Sequence, residues 1–348
     1  MQTYALQQTV TKLGVSCEVI DYRSPGVERQ YRHIRFREKT SAKEYVLHNI
    51  TCAFRKAKKK AFARFVREQL KTTKQLSSLQ EADGLDAVIV GSDQVFNPLC
   101  TNGDGAYLLM GLPEGVKRIA YAASIGKKEN IDLYESRYGI DYKKELQGFD
   151  WISTREADAA DYLRQATGKP CDYVLDPVFL YGAEGWREFC KEPTEEYIFV
   201  YNLGNFPTLF QTVKKLKAQT GFKVIILNKD AKGDLKSLGF DIRSNAAPQE
   251  FVSLLAGARY VVTDSFHATA FSIMFGKDFY VVANSNKENT NSRLQNVLHE
   301  FGIEGRYISN AADFQLAKAA DLTDVERLLE QKRKTSVGKL YDALKTAM

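Results

Sequence analysis

The feature that most constrains this chain is a recurring alternation of short apolar runs with longer helical stretches. Apolar, β-branched-rich runs stand at Glu18–Asp21, Ala87–Val90, Ile119–Ala122, Trp151–Ser153 and Tyr173–Leu175. A second series follows at Ile198–Tyr201, Lys223–Leu227, Tyr260–Thr263 and Phe279–Val282. Parallel neighbours need a crossover, usually a helix, so this order predicts an α/β chain with parallel sheets and helices on both faces. Gly182, Gly185 and Pro193 interrupt the pattern near 181–194. The expected division is an N-terminal domain over 1–185 and a C-terminal domain over 195–310. A tail helix over 322–347 opens on a Thr323/Glu326 capping box, and lying back on the first domain is one place for it. At 348 residues the chain is long enough for two cores. It opens with a helix, Tyr4–Leu13 ended by Gly14, where a parallel domain normally opens with a strand.

Composition removes several classes. The five cysteines form no C-x-x-C pair and the four histidines no H-x-x-x-H pair, so neither a disulfide framework nor a dedicated metal site is expected. No apolar run approaches membrane-span length and no signal peptide is visible at the start, so the expected address is the cytoplasm. The net charge of +6 is uneven: residues 28–74 carry 15 Lys and Arg against 4 Glu. Such a run is usually a solvated helix face. Its functional reading is peripheral contact with an anionic membrane, at the inner face, or attraction to an acidic glycan or lipid phosphate. Nucleic acid is disfavoured, because Phe54, Phe62 and Phe65 fall at helical spacing that core burial explains better than base stacking.

In open parallel sheets ligands gather outside the carboxyl ends of the strands. Three such ends carry unusual polar sequence. After Val90, Gly91 permits a tight turn, and Ser92, Asp93, Gln94 and Asn97 offer donors and acceptors for a hydroxyl-rich ligand. After Ile119, small residues lead to Ser124 and Gly126. After Trp151, Ser153 and Glu156 have capping-box spacing, which puts Arg155 in a first helical turn. A cation opposes the helix dipole there unless an anion lies between them; its planar fork suits a carboxylate or phosphate. Turn chemistry, or for Arg155 a surface salt bridge, is the alternative at each position.

The most informative segment is Tyr260 to Ser272. Strand gives way to helix at Asp264 or Ser265, both good N-caps, so His267 lies in the first turn. The helix dipole favours a neutral imidazole, whereas a bound anion or Asp264 favours a charged one, a competition suited to acid/base chemistry. A lone histidine is usually a hydrogen-bonded core residue; the position directly after a buried strand favours a site. The expected place for it is an anion-binding active site between the two domains.

Five segments in this order resemble the polysaccharide pyruvyltransferase family: Gly91 to Asn97, Tyr121 to Gly126, Ser153 to Glu156, Leu175 to Leu180, and Thr263 to Ser272. The resemblance runs from Gln2 to about Arg306. It implies two Rossmann-like domains with parallel sheets, as in the type B glycosyltransferase fold. It also implies transfer of a pyruvyl group from phosphoenolpyruvate to sugar hydroxyls as a ketal, in a cell-surface polysaccharide or its lipid-linked precursor. Phosphoenolpyruvate is then a co-substrate, and no further cofactor is expected. By this similarity Arg155 and His267 contact phosphoenolpyruvate, and Arg293 in Asn291-Ser292-Arg293 is a further donor contact. Ser265 and Phe266 at the helix head join them. His267 is the expected acid or base with Asp264 orienting it, and Ser92, Asp93, Gln94, Asn97 and Ser124 form the acceptor side. The family's opening strand and Asn-Tyr-Gly turn precede the segment resembling Gln2 to Gln7; in this chain that first strand is missing. Two other readings stay open: a nucleotide-sugar glycosyltransferase of the same fold, and an inactive truncated relative that binds glycan.

Overall fold

The computed structural model describes residues 1–31, 59–204, 207–227, 239–243, 246–283, 288–316 and 322–346. These residues fall into two compact units. The first holds residues 1–31, 70–180 and 331–346; the second holds the described residues of 59–69 and 181–330.

The first unit contains β1 (Val19–Tyr22), β2 (Thr72–Leu76), β3 (Ala87–Val90), β4 (Lys117–Ala123), β5 (Trp151–Thr154) and β6 (Asp172–Tyr173). β1 and β2 pair with each other, and β3 to β6 form a separate sheet in chain order. All these pairings are parallel. The opening helix, Gln2–Lys12, buries Tyr4, Ala5, Leu6 and Val10 and is followed by Gly14 at φ 83°. Ile119, Ala120, Tyr121 and Ile152 are fully buried on the central strands, and their apolar area supplies the main drive for the fold.

The second unit has one parallel sheet in the order β12-β11-β10-β7-β8-β9. Its strands are β7 (Tyr197–Tyr201), β8 (Lys223–Leu227), β9 (Asp241–Arg243), β10 (Tyr260–Thr263), β11 (Asp278–Val282) and β12 (Tyr307–Ile308). Every residue of β11 is buried, which is why the central strands read as unbroken apolar runs rather than alternating ones. β7 and β10 are adjacent with Tyr201 opposite Thr263, so the loops leaving their carboxyl ends are neighbours.

The α/β class with parallel sheets agrees with the sequence. Three strands were not expected from it: β2, β9 and β12. Each lies at the edge of a sheet and pairs on one side, so it carries a polar or very short pattern. Residues 59–69 are helical and group with the second unit rather than the first. Phe65 is buried there, with its ring 6.2 Å from that of Phe189, whereas Phe62 is 45% exposed instead of in the core. Phe54 and most of the basic segment 28–74, on which the membrane expectation rests, lie outside the described residues. The tail helix spans Thr323–Lys345, so Thr323 is already helical rather than a cap; Leu322 O accepts from Glu326 N. Its part beyond Gln331 belongs to the first unit, where Ser336 Oγ accepts from Leu175 N and Lys339 Nζ donates to Asp172. No helix among the described residues is long and apolar enough to cross a membrane.

Candidate functional site

At the carboxyl end of β3 the chain turns at Gly91, whose φ is 131°. A Cβ there would lie 2.0 Å from the Tyr121 carbonyl oxygen, so glycine is required by both conformation and space. Asp93 follows at φ 68°, in the left-handed region that a non-glycine residue seldom adopts. Its carbonyl accepts from Ser124 N at 2.8 Å, which ties the β3 turn to the end of β4. Ala122 is also left-handed, at φ 50°, and its N–H donates to Ser153 Oγ at 3.1 Å. The β4–β5 register shifts at this point. Irregular backbone is thus concentrated where the three polar strand ends meet.

Arg155 is the hub of this crest. Its side chain is 2% exposed and faces three carboxylates: Nη1 donates to Asp176 Oδ2 at 2.6 Å, Nη2 to Asp93 Oδ1 at 2.8 Å, and Nε to Glu156 Oε1 at 3.3 Å. Burial by itself would lower the Arg155 pKa; the charges of Asp176, Glu156 and Asp93 outweigh it and raise the pKa above the ordinary value. Asp176 is fully buried and also accepts from Gln2 Nε2 at 3.0 Å, Ser92 Oγ at 3.3 Å and Val178 N at 3.1 Å. The expected capping box does not form. Ser153 Oγ donates to Ala120 O within the sheet, and the helix begins at Ala157 with Glu156 in the N-cap place. Arg155 therefore precedes the helix instead of lying in its first turn, and the counter-charges it meets are internal carboxylates.

The expected acceptor residues all lie in this first unit, but they differ in access. Asp93 is 51% exposed and Gln94 half-buried. Ser92 is buried and accepts from Gln2 Nε2 at 2.7 Å, and Ser124 is buried and donates to Glu156 Oε1 at 2.9 Å. Asn97 is a buried helix cap whose Oδ1 accepts from Leu99 N and whose Nδ2 donates to Gln94 Oε1. Ser92, Asn97 and Ser124 are thus buried with internal hydrogen bonds, whereas Asp93 and Gln94 present polar surface. Asp176 was not singled out from sequence. Its signals are the Asp-Pro dipeptide directly after a strand and its place in the resembling segment Leu175 to Leu180.

The second crest belongs to the other unit. Ser265 takes the N-cap place of the helix Phe266–Met274, but its side chain makes no capping bond; its N–H donates to Thr263 Oγ1 at 3.0 Å. His267 is half-buried in the first turn, its ring 5.5 Å from that of Phe266 and nearly perpendicular to it. Asp264 is fully buried, and its Oδ1 accepts from Leu203 N at 2.7 Å. That bond locks the β10 loop to the β7 loop. Asn202, one residue before Leu203, is buried; its Nδ2 donates to Gly204 O, while Oδ1 has no hydrogen-bond partner among the described residues. Sequence reading missed Asn202, because one Asn after a strand reads as turn chemistry. Arg293 lies half-buried on the helix Glu288–Glu300 of this unit. Among the described residues no group of three or more His, Cys, Asp or Glu side chains is placed to hold a metal ion.

A sequence model of the family described as polysaccharide pyruvyl transferase matches residues 1–286. No curated protein matches the chain in sequence. Among solved structures, the glycosyltransferase SnogD from Streptomyces nogalater is similar over 100% of this chain and 96% of its own, with 13% identity and a TM-score of 0.47. The UDP-GlcNAc 2-epimerase from Methanocaldococcus jannaschii is similar over 95% of each chain, with 10% identity and a TM-score of 0.46. The UDP-GlcNAc 2-epimerase from Neisseria meningitidis, bound to UDP-GlcNAc, is similar over 96% of this chain and 98% of its own, with 10% identity and a TM-score of 0.43.

Proposed function

We propose, from the premise that the chain belongs to the polysaccharide pyruvyl transferase family, that it transfers a pyruvyl group from phosphoenolpyruvate to two hydroxyls of one sugar. The observation that carries the reading is the second crest: a half-buried histidine in a first helical turn, beside a fully buried aspartate that fixes the neighbouring loop. Phosphoenolpyruvate carries a carboxylate and a phosphate, and a helix N-terminus with an arginine suits such charges. Ser265, Phe266, His267 and Arg293 are the donor contacts in this reading.

The chemistry follows in four steps. An acid, assigned to His267, protonates the methylene carbon of the enol, leaving a cationic carbon that bears the phosphate ester and the carboxylate. One sugar hydroxyl adds to that carbon and gives its proton to a base. The second hydroxyl then attacks the same carbon as the C–O bond to phosphate breaks. The last proton leaves that hydroxyl, and the products are a cyclic ketal and inorganic phosphate. Asp264 is a positioning residue, holding the loop and the helix head. Asp93, exposed and held by Arg155, is the acceptor-side carboxylate. Arg155 itself is charge-balanced by three carboxylates, of which Asp93 is the most exposed.

The test is phosphate release from phosphoenolpyruvate across a panel of sugar acceptors, with the product mass checked for the ketal. General acid/base catalysis contributes about 10²–10⁴-fold, so His267→Ala should lose that much turnover while still binding phosphoenolpyruvate. Near wild-type turnover in His267→Ala would remove the assignment. Calorimetric binding of a sugar nucleotide, with none of phosphoenolpyruvate, would replace the donor.

A further inference from the structure

We infer that Asn202 selects the donor phosphate in its protonated form, its buried Oδ1 accepting a hydrogen bond from the one P–O–H group of phosphoenolpyruvate, an assignment that rests on the donor reading above and deepens it.

The place follows from the topology of the second unit. Its strand order is β12-β11-β10-β7-β8-β9, so the chain leaves β7 towards β8 and β9 and later returns to β10 on the other side. The gap between β7 and β10 is therefore a topological switch point, where ligands of open α/β sheets bind outside the carboxyl ends. Side chains alternate between faces along a strand. Ile198 and Val200 share a core cluster with Leu209 and Val213 of the helix Pro207–Thr220. Phe199 and Tyr201 instead face Phe251, whose ring meets Phe271 of the helix Phe266–Met274. The two helices thus leave on opposite faces of the sheet. Each begins a few residues past its strand, so the positive ends of both flank the gap.

Asn202 stands at this gap. On one side of it Tyr201 O accepts from Thr263 Oγ1 at 2.5 Å; on the other Leu203 N donates to Asp264 Oδ1 at 2.7 Å. Both neighbours are thereby pinned to the end of β10. Asn202 is 3% exposed, and Gly204 sets the orientation of its amide: a carbonyl only accepts, so it takes Nδ2–H, at 2.5 Å. Oδ1 is left as a buried acceptor with no hydrogen-bond partner among the described residues. Buried acceptors are normally met by a donor, and an unmet one is destabilising.

Chemistry selects that donor. Fully ionised phosphoenolpyruvate carries acceptors alone, which Oδ1 repels. A phosphate monoester keeps one proton up to a pKa of about 6, and that form offers a P–O–H. The reaction needs the same proton. When the C–O bond breaks, its electron pair stays on the phosphate oxygen. From the fully ionised ester the leaving group is a trianion; from the protonated ester it is the hydrogen phosphate dianion. The helix ends attract the charge, and Asn202 admits the form that can leave.

The test separates the proton from the charge. In mildly alkaline buffer hydrogen phosphate and sulfate are both tetrahedral dianions, and that proton is what distinguishes them. Calorimetry on the full wild-type chain should show inorganic phosphate binding at least about ten-fold tighter than sulfate, as one hydrogen bond to a charged group supplies. Asn202→Ala should weaken phosphate binding by about the same factor and leave sulfate unchanged, so the preference disappears. A merely structural Asn202 would lower the melting midpoint and keep the preference, which overturns the inference. Equal binding of the two anions by the wild type, or no phosphate binding, overturns it without any variant. Failure of the donor reading looks different: no phosphate is released from phosphoenolpyruvate with any sugar, while the preference and its loss in Asn202→Ala stand. That result supports the acceptor at Asn202 and removes phosphoenolpyruvate as its ligand.

Discussion

Replacing Arg155 by methionine tests whether the guanidinium is what holds the first crest together. Methionine keeps the length of the stem and deletes the charge. Asp176, fully buried, then loses its 2.6 Å partner, and Glu156 and Asp93 lose theirs at 3.3 and 2.8 Å. Breaking a buried pair by removing one partner costs about 3–5 kcal/mol. Asp176 keeps bonds from Gln2, Ser92 and Val178, which places the expected loss near the lower end, about 3 kcal/mol. Asp176→Asn keeps the shape and leaves Arg155 two carboxylates; hydrogen bonds to charged groups are worth about 1.5–3 kcal/mol, so its loss should be about 2. Asp93→Asn alters a carboxylate that is 51% exposed, where solvent screening limits the effect to about 1 kcal/mol or less. The expected order is therefore Arg155→Met, then Asp176→Asn, then Asp93→Asn. In a unit of this size each kcal/mol moves the melting midpoint by roughly 2–4 °C, or about 6–12 °C for Arg155→Met. The chain has two tryptophans, Trp151 and Trp186. Trp151 donates to Asp172 in the first unit, so in a Trp186→Phe background its fluorescence reports that unit alone. If Arg155→Met melted with Asp93→Asn in this background, the guanidinium would not be the hub and the electrostatic argument would fail.

Four further outcomes follow from the same geometry. Gly91→Ala, which drives a Cβ into the Tyr121 carbonyl, should destabilise the first unit by at least about 3 kcal/mol in urea unfolding; a soluble variant of wild-type stability would contradict the turn as described. Burial alone would raise the Asp172 pKa, but the bonds from Lys339 and Trp151 hold it below the ordinary carboxylate range. Its contribution is therefore present at neutral pH and lost as pH falls below that range, and Asp172→Asn should remove this part of the acid sensitivity of the first unit's melting midpoint. Ser336→Ala leaves the buried Leu175 N–H without its acceptor and should cost about 1–3 kcal/mol, whereas Thr335→Ala on the exposed face should cost under about 0.5 in the same urea titration. Asn202→Ala should raise KM for phosphoenolpyruvate about ten-fold with kcat little changed, because its Oδ1 has no internal partner, while loss of the Nδ2 bond to Gly204 O should cost about 1 kcal/mol of stability; a larger stability loss with unchanged KM would make Asn202 purely structural.

Much of the architecture was legible because central parallel strands are buried on both faces and so print as apolar runs. Tyr260–Thr263 was read with the bounds it has, and His267 duly falls in the first turn that follows. Edge strands such as Thr72–Leu76 escaped, since one-sided pairing demands no such pattern. The crest was half legible. Asp93 is polar, exposed and left-handed, as a residue in a functional turn can be. Ser92, Asn97 and Ser124 look identical in sequence to solvent-facing donors, yet each spends its hydrogen bonds internally.

What the sequence by itself determined is the periodicity: which runs become central strands, where His267 and Arg155 sit relative to them, and the motif order that marks the family. Those properties are local, fixed by a few residues of side-chain pattern along the chain. What the tertiary structure alone decided is the partner of each polar group. Arg155 meets Asp93, Glu156 and Asp176, residues up to 62 positions away, and Asp264 meets Leu203 across 61. No local pattern encodes such pairings, because they arise only when neighbouring strands bring their carboxyl ends together. Whether a charge serves a ligand or is answered from within is settled there.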